Sequence, residues 1–186
     1  KIPLQYHEEG LDRQILKHFG MLETAPAPDL TKWKSIIDTI GAWEHETTIA
    51  VVGKYCGLPD AYKSLNEALF HAGIAHKTKV RVKWIESDTL ETMTPEQIDH
   101  AFAGIQGILV PGGFGNRGVE GKMIAERYAR EKKIPFFGIC LGMQTAVIEA
   151  ARSLLGIKDA NSTEFTKNGT PVVALMTEWE QDGKKQ

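Results

Sequence analysis

The chain has 186 residues, 42% of them hydrophobic and 25% charged, the size of one globular domain with some additional chain rather than two full domains. Lys and Arg number 22 against 24 Asp and Glu, a formal charge of -2, which removes the electrostatic footprint that nucleic acid or anionic lipid would require. No apolar run approaches the ~20 residues of a membrane span and the first residues carry no signal-peptide core, so a soluble, cytoplasmic protein is expected.

In chain order, residues 1–45 read as helical. Leu11, Ile15, Leu16 and Phe19 form one stripe, Ala25-Pro26-Ala27-Pro28 breaks it, and Trp33, Ile36, Ile37 and Ile40 form a second over residues 30–40. These residues are expected to be the tail of a preceding domain and a linker, and 46–186 the domain that follows. There, short apolar runs alternate with amphipathic stretches, the rhythm of β-α units. The strands predicted are 49–52, 80–85, 107–110, 134–139 and 172–176. Helices are predicted from Pro59-Asp60, with Tyr62, Leu65, Leu69 and Ala72 on one face and Gly73 as C-cap, from Thr94-Pro95-Glu96, over 119–132, and over 141–151. The fold class expected is α/β, an open, doubly wound, mostly parallel sheet. In such sheets ligands bind beyond the carboxyl ends of the strands, here the turns after Val110 and Ile139.

The second of those turns is Gly138-Ile139-Cys140-Leu141-Gly142, a G-x-C-x-G sequence between an apolar strand and an amphipathic helix. It is the nucleophile-elbow pattern with sulfur in place of oxygen. Two glycines permit the sharp turn, and the start of the following helix favours a thiolate. A lone cysteine is by default a small buried hydrophobe; the paired glycines and the strand-turn-helix context favour a nucleophile. Acyl chemistry also needs donors for an oxyanion. Pro111-Gly112-Gly113-Phe114-Gly115 follows the neighbouring strand, and the N–H of Gly112 or Gly113 with that of Leu141 would supply them. Residues 113–118 also match G-x-G-x-x-G, but the acidic residue that a dinucleotide site wants at the end of the next strand is replaced by Gly138-Ile139-Cys140.

A thiolate that cleaves an amide needs a general base, normally His. All six histidines, His7, His18, His45, His71, His76 and His100, precede Cys140; His71 and His100, near helix ends, read as solvated surface groups. Cys56 lies in a loop without elbow geometry and reads as incidental. The two cysteines form no C-x-x-C pair, so neither a disulfide framework nor a thiolate metal site is expected, and no metal ligands are assigned. The four tryptophans, Trp33, Trp43, Trp84 and Trp179, read as packing anchors.

With residues 137–144, 111–115 and Asn161-Ser162-Thr163-Glu164-Phe165 in hand, the chain resembles the CTP synthases, and its larger part their class I, flavodoxin-like glutamine amidotransferase domain. Further matches are residues 52–55, Pro59-Asp60-Ala61-Tyr62-Lys63-Ser64, 117–121 and 174–179. The resemblance implies a ligase that hydrolyses glutamine through a cysteine thioester and passes the ammonia to a synthetase domain, where UTP is aminated to CTP with ATP and Mg2+. It implies Cys140 as nucleophile, Gly112, Gly113 and Leu141 at the oxyanion, and Gln144 and Glu164 on the backbone of glutamine. It further implies GTP as an allosteric activator near Lys63, Glu67, Phe114 and Arg117, and a homotetramer. Lys63 and Glu67 could equally be a surface i, i+4 ion pair. The family's His and Glu charge-relay pair has no counterpart in these 186 residues. The chain starts at Lys1 and stops in a polar run, so it is expected to be a piece of a longer protein, weak or inactive alone. A stand-alone cysteine hydrolase of the elbow type and a non-catalytic fragment are the competing readings.

Overall fold

The computed structural model describes residues 1–58, 60–176, 180–181 and 184–185; the roles read for Pro59 and Trp179 lie outside these. The chain divides into two compact units, residues 1–46 with 67–80, and residues 47–66 with 81–186.

The first unit carries α1 (Ile2–Glu8), α2 (Leu11–His18) and α3 (Thr31–Gly41). The two predicted helical stripes are α2 and α3, and the proline-rich segment between them is not helical. β1 (His45–Gly53), α4 (Lys63–Ala75) and β2 (Thr78–Glu86) each run from one unit into the other. α4 begins later than the sequence suggests, because residues 60–62 close a turn in which Ala61 N donates to Leu58 O. Gly73 is not its cap. It sits inside the helix, where a Cβ would collide with the Thr78 carbonyl.

The second unit continues with α5 (Ser87–Leu90), α6 (Pro95–Ala101), β3 (Gly107–Val110), α7 (Val119–Lys132), β4 (Phe136–Gly138), α8 (Leu141–Leu154), β5 (Ala160–Ser162) and β6 (Thr170–Val173). One sheet has the order β2-β1-β3-β4. β1 and β3 are parallel, with Ile49 opposite Gly107, and so are β3 and β4, with Val110 opposite Gly138. The core on this sheet gathers Ala50, Val52, Ile85, Phe102, Ile108 and Val110 with Ala125 and Ala129 of α7. A second cluster joins Val119 and Met123 of α7 to Ile148 of α8, with Phe165, Val172 and Val173 packed on it.

Two expected strands come out differently. β4 starts two residues late because Ile134 is used to end α7: Lys133 turns left-handed at φ 57° and Ile134 N donates to Ala129 O at 2.9 Å. Among the described residues β4 borders only β3 in this sheet, and Phe136 and Phe137 are 36% and 62% exposed. The run predicted at 172–176 does not join the sheet at all. It is β6, shifted to 170–173 and paired in parallel with β5 in a separate two-stranded sheet. Pro171 has no N–H to give a central strand, and Leu175 and Met176 are left exposed.

α6 begins where the sequence indicates. Gln97 N donates to Thr94 Oγ1 at 3.3 Å while Thr94 N donates to Gln97 Oε1 at 2.8 Å, a reciprocal cap. Thr94→Ala will lower stability by about 1 kcal/mol, read as a lower urea midpoint with an unchanged slope; an unmoved midpoint would show the cap to be idle.

Candidate active site

Cys140 stands between β4 and α8 with φ 53° and ψ -109°, a strained conformation for a residue with a Cβ, and such strain concentrates at functional turns. Its backbone is held on both sides. Ile139 N donates to Val110 O at 2.9 Å, and the N–H groups of Met143 and Gln144 both donate to Cys140 O at 3.1 Å. The flanking glycines are required by contact. A Cβ on Gly138 would stand 2.6 Å from the Gly142 carbonyl, and one on Gly142 would overlap the Val110 carbonyl. The result is a cysteine that is exposed, at the start of α8, with the N–H of Leu141 in the helix's first turn, where intrahelical acceptors are lacking.

The turn after β3 lies against this elbow. A Cβ on Gly112 would be 3.4 Å from Cys140 Cβ and 3.9 Å from Sγ, and one on Gly113 would be 3.5 Å from the Leu141 side chain. Small residues let the backbone of this turn approach the sulfur. Two outside groups fix the turn. Lys54 Nζ donates to Phe114 O at 2.7 Å and Gly115 O at 3.1 Å, and Gly115 N donates to Glu164 Oε1 at 3.3 Å. Asn116 Nδ2 donates to Phe165 O, and Glu164 N donates to the buried Ser162 hydroxyl. Cys140, Gly112, Gly113, Leu141 and Glu164 are thus brought together, with Gln144 half-buried on the first turn of α8.

A cavity of about 530 Å³ opens at this turn, lined by Lys54, Tyr55, Tyr62, Gly113, Phe114 and Arg117 among others. Tyr62 shapes it from the loop after β1: its hydroxyl donates to Lys54 O at 2.7 Å and accepts from Lys54 N, and its ring stacks on Trp84. Arg117 lies over the Tyr55 ring and donates to Asp88 at 3.3 Å. Phe114 is 85% exposed. Burial, with Arg117 nearby, lowers the pKa of Lys54. Lys63 opens α4 and does not line this cavity; Glu67, one turn along, has its ion partner in His71 at 3.9 Å. Lys63 is therefore not the partner found for Glu67.

The other cysteine is different. The Cys56 thiol donates to Ile85 O at 3.4 Å, and burial together with the Glu86 carboxylate pushes its pKa up. No histidine hydrogen-bonds Cys140 among the described residues. Nor do these contain a cluster of three or more His, Cys, Asp or Glu side chains fit to hold a metal. Lys54, Tyr62 and Lys122 belong to this region, although sequence reasoning assigns none of them to the site. For Lys122 a signal exists: it falls, with Glu126, on the stripe Val119, Met123, Glu126 and Ala129 that α7 buries.

A family model described as glutamine amidotransferase class-I matches residues 57–182. Among curated relatives, the CTP synthase of Methylocella silvestris is 55% identical over 186 residues, covering 100% of this chain and 33% of that protein. The CTP synthase of Novosphingobium aromaticivorans is 56% identical over 178 residues, 96% of this chain and 32% of that one. The chain thus spans about a third of the length of the curated relatives it matches. Among solved structures, the Trypanosoma brucei CTPS glutaminase domain with bound acivicin superposes with a TM-score of 0.66 and 44% identity, covering 70% of this chain and 50% of that one. An elbow cysteine facing a glycine turn, on a sheet and helices that share this fold, therefore has its place: the chain belongs to the class-I glutamine amidotransferase family.

Proposed function

We propose that this chain is the glutaminase portion of a CTP synthase. Sulfur of Cys140 attacks the side-chain amide of glutamine, N–H groups of Gly112 or Gly113 and of Leu141 receive the oxyanion, and a glutamyl thioester forms as ammonia leaves. Gln144 and Glu164 hold the amino-acid end. Glu164 already receives Gly115 N on Oε1; its second oxygen is the one that would meet the substrate's α-ammonium, a charge-assisted contact that separates free glutamine from a peptide-bound one. The observation that carries the reading is the strained elbow at Cys140 set against the Gly112–Gly113 backbone.

In this reading the ammonia is used by a synthetase part of the complete protein, which aminates UTP to CTP with ATP and magnesium, in the cytoplasm and as a homotetramer. The nucleotide and magnesium sites of that amination would belong to the synthetase part. GTP as activator would occupy the cavity beside Phe114 and Arg117; for Lys63 and Glu67 the family resemblance is the sole support. The charge-relay His and Glu would come from outside these 186 residues, so the isolated chain hydrolyses glutamine far more slowly than the complete protein.

A glutamine-like diazo ketone tests this directly. It is expected to modify Cys140 and spare Cys56, as read by peptide mass spectrometry, while a peptide-like diazo ketone modifies neither. Equal labelling by both reagents would favour a general cysteine hydrolase of the elbow type, and no labelling a non-catalytic module.

A further inference from the structure

Lys122 is the largest fully buried side chain among the described residues, with 1% exposure. It lies on α7, one turn in from the Gly118 cap, and its ammonium comes up beneath the glycine turn: a Cβ on Gly113 would stand 3.4 Å from Nζ. The neighbouring Gly112 stands equally close to Cys140. A buried ammonium is costly, and this one lies under the glycine turn whose preceding residue, Gly112, packs on the strained Cys140.

Resting on the reading of Cys140 as the glutaminase nucleophile, we propose that Lys122 is a positioning residue whose buried cation holds negative charge on the Cys140 sulfur and then on the substrate oxygen. In the addition step the sulfur forms a bond to the amide carbon and the carbonyl π pair moves to oxygen. One negative charge passes from sulfur to oxygen, and a fixed cation under the turn supports it in both places without moving. The groups that face this cation are Cys140 at the elbow, Glu126 on its own helix, and Lys54 and Cys56 on the loop after β1. Burial, and next the charge of Lys54, lower the pKa of Lys122 to about 8, while Glu126 and Cys140 act to keep it charged. Burial raises the Glu126 carboxyl to about 8, against the hydrogen bond from Thr145. Burial thus works against charge on Lys122 and on Glu126 alike.

Lys122→Met, Lys122→Gln and Lys122→Arg variants of the whole chain test this, with alkylation of Cys140 by iodoacetamide followed against pH and Cys56 resolved by peptide mass. Methionine nearly matches the stem in volume, and an apolar replacement for a buried charge is commonly tolerated; glutamine repeats the test should methionine prevent folding. The expected result is a profile moved to higher pH by about one unit in the neutral variants, a roughly tenfold slower reaction at pH 7, with the arginine variant retaining the wild-type profile. A merely structural lysine would alter thermal unfolding and leave the profile in place, and that outcome overturns the inference even where glutamine-like labelling succeeds. A shifted profile with no glutamine-like labelling would refute the proposed function and leave the action of Lys122 on sulfur standing.

Discussion

Gly142→Ala will destabilise the chain by about 3 kcal/mol, the upper end of what overpacking costs, and will abolish labelling of Cys140 together with the fold around it. The Cα of Gly142 faces the carbonyl of Val110, and the added methyl would have to displace β3 or tip α8 off the sheet. Neither can give easily: β3 is buried along its whole length, and Leu141, Thr145 and Ile148 of α8 are buried too. Gly112→Ala is the informative control. Its methyl would meet Cys140 Cβ at 3.4 Å and Sγ at 3.9 Å, ordinary contact distances, so the fold should survive while the sulfur is crowded. Equal urea midpoints for the Gly142 variant and the parent would show that the elbow opens without cost and would remove the steric argument.

On the proposed CTP synthase reading, Cys140→Ser in the complete protein should reduce glutamine hydrolysis about 10³-fold or more, with ammonia-supported synthesis retained. The swap keeps the turn and alters one atom. A hydroxyl is a far weaker nucleophile at neutral pH than a thiol, and no described histidine is placed to activate it. Hydrolysis that persisted in this variant would move the nucleophile elsewhere, and Cys56, held protonated by its burial and by Glu86, would be a poor substitute.

The elbow is legible in the sequence because its chemistry is written in adjacent residues: two glycines, a cysteine, an apolar strand before and an amphipathic helix after. The Thr94 cap and the extent of α7 can be read for the same reason. Features that depend on residues far apart are harder. The pairing of β5 with β6 uses Ala160, Asn161 and Ser162, which carry no strand pattern, and pattern reading misses it for that reason. β4 reads too long because Ile134 is apolar like a strand residue yet serves as the stop of α7. Of the site, Cys140 and the glycine turn follow from residue type and spacing. Glu164 comes only from the family resemblance, since nothing local tells a loop glutamate that it will receive the N–H of Gly115 from 49 positions away. Lys54, which clamps the same turn, and Lys122, buried beneath it, escape notice because a lysine is by default a solvated surface group.

β4 bears on how the protein behaves in a tube. Cys140 follows it by two residues, and among the described residues its sheet joins it to β3 alone, with two phenylalanines in reach of solvent. A strand edge invites another strand wherever nothing covers it, and whatever adds to β4 grips the same short segment that aims the sulfur. Crowding would then reach the thiol mechanically, so that dilute and concentrated preparations of one polypeptide become two different reagents.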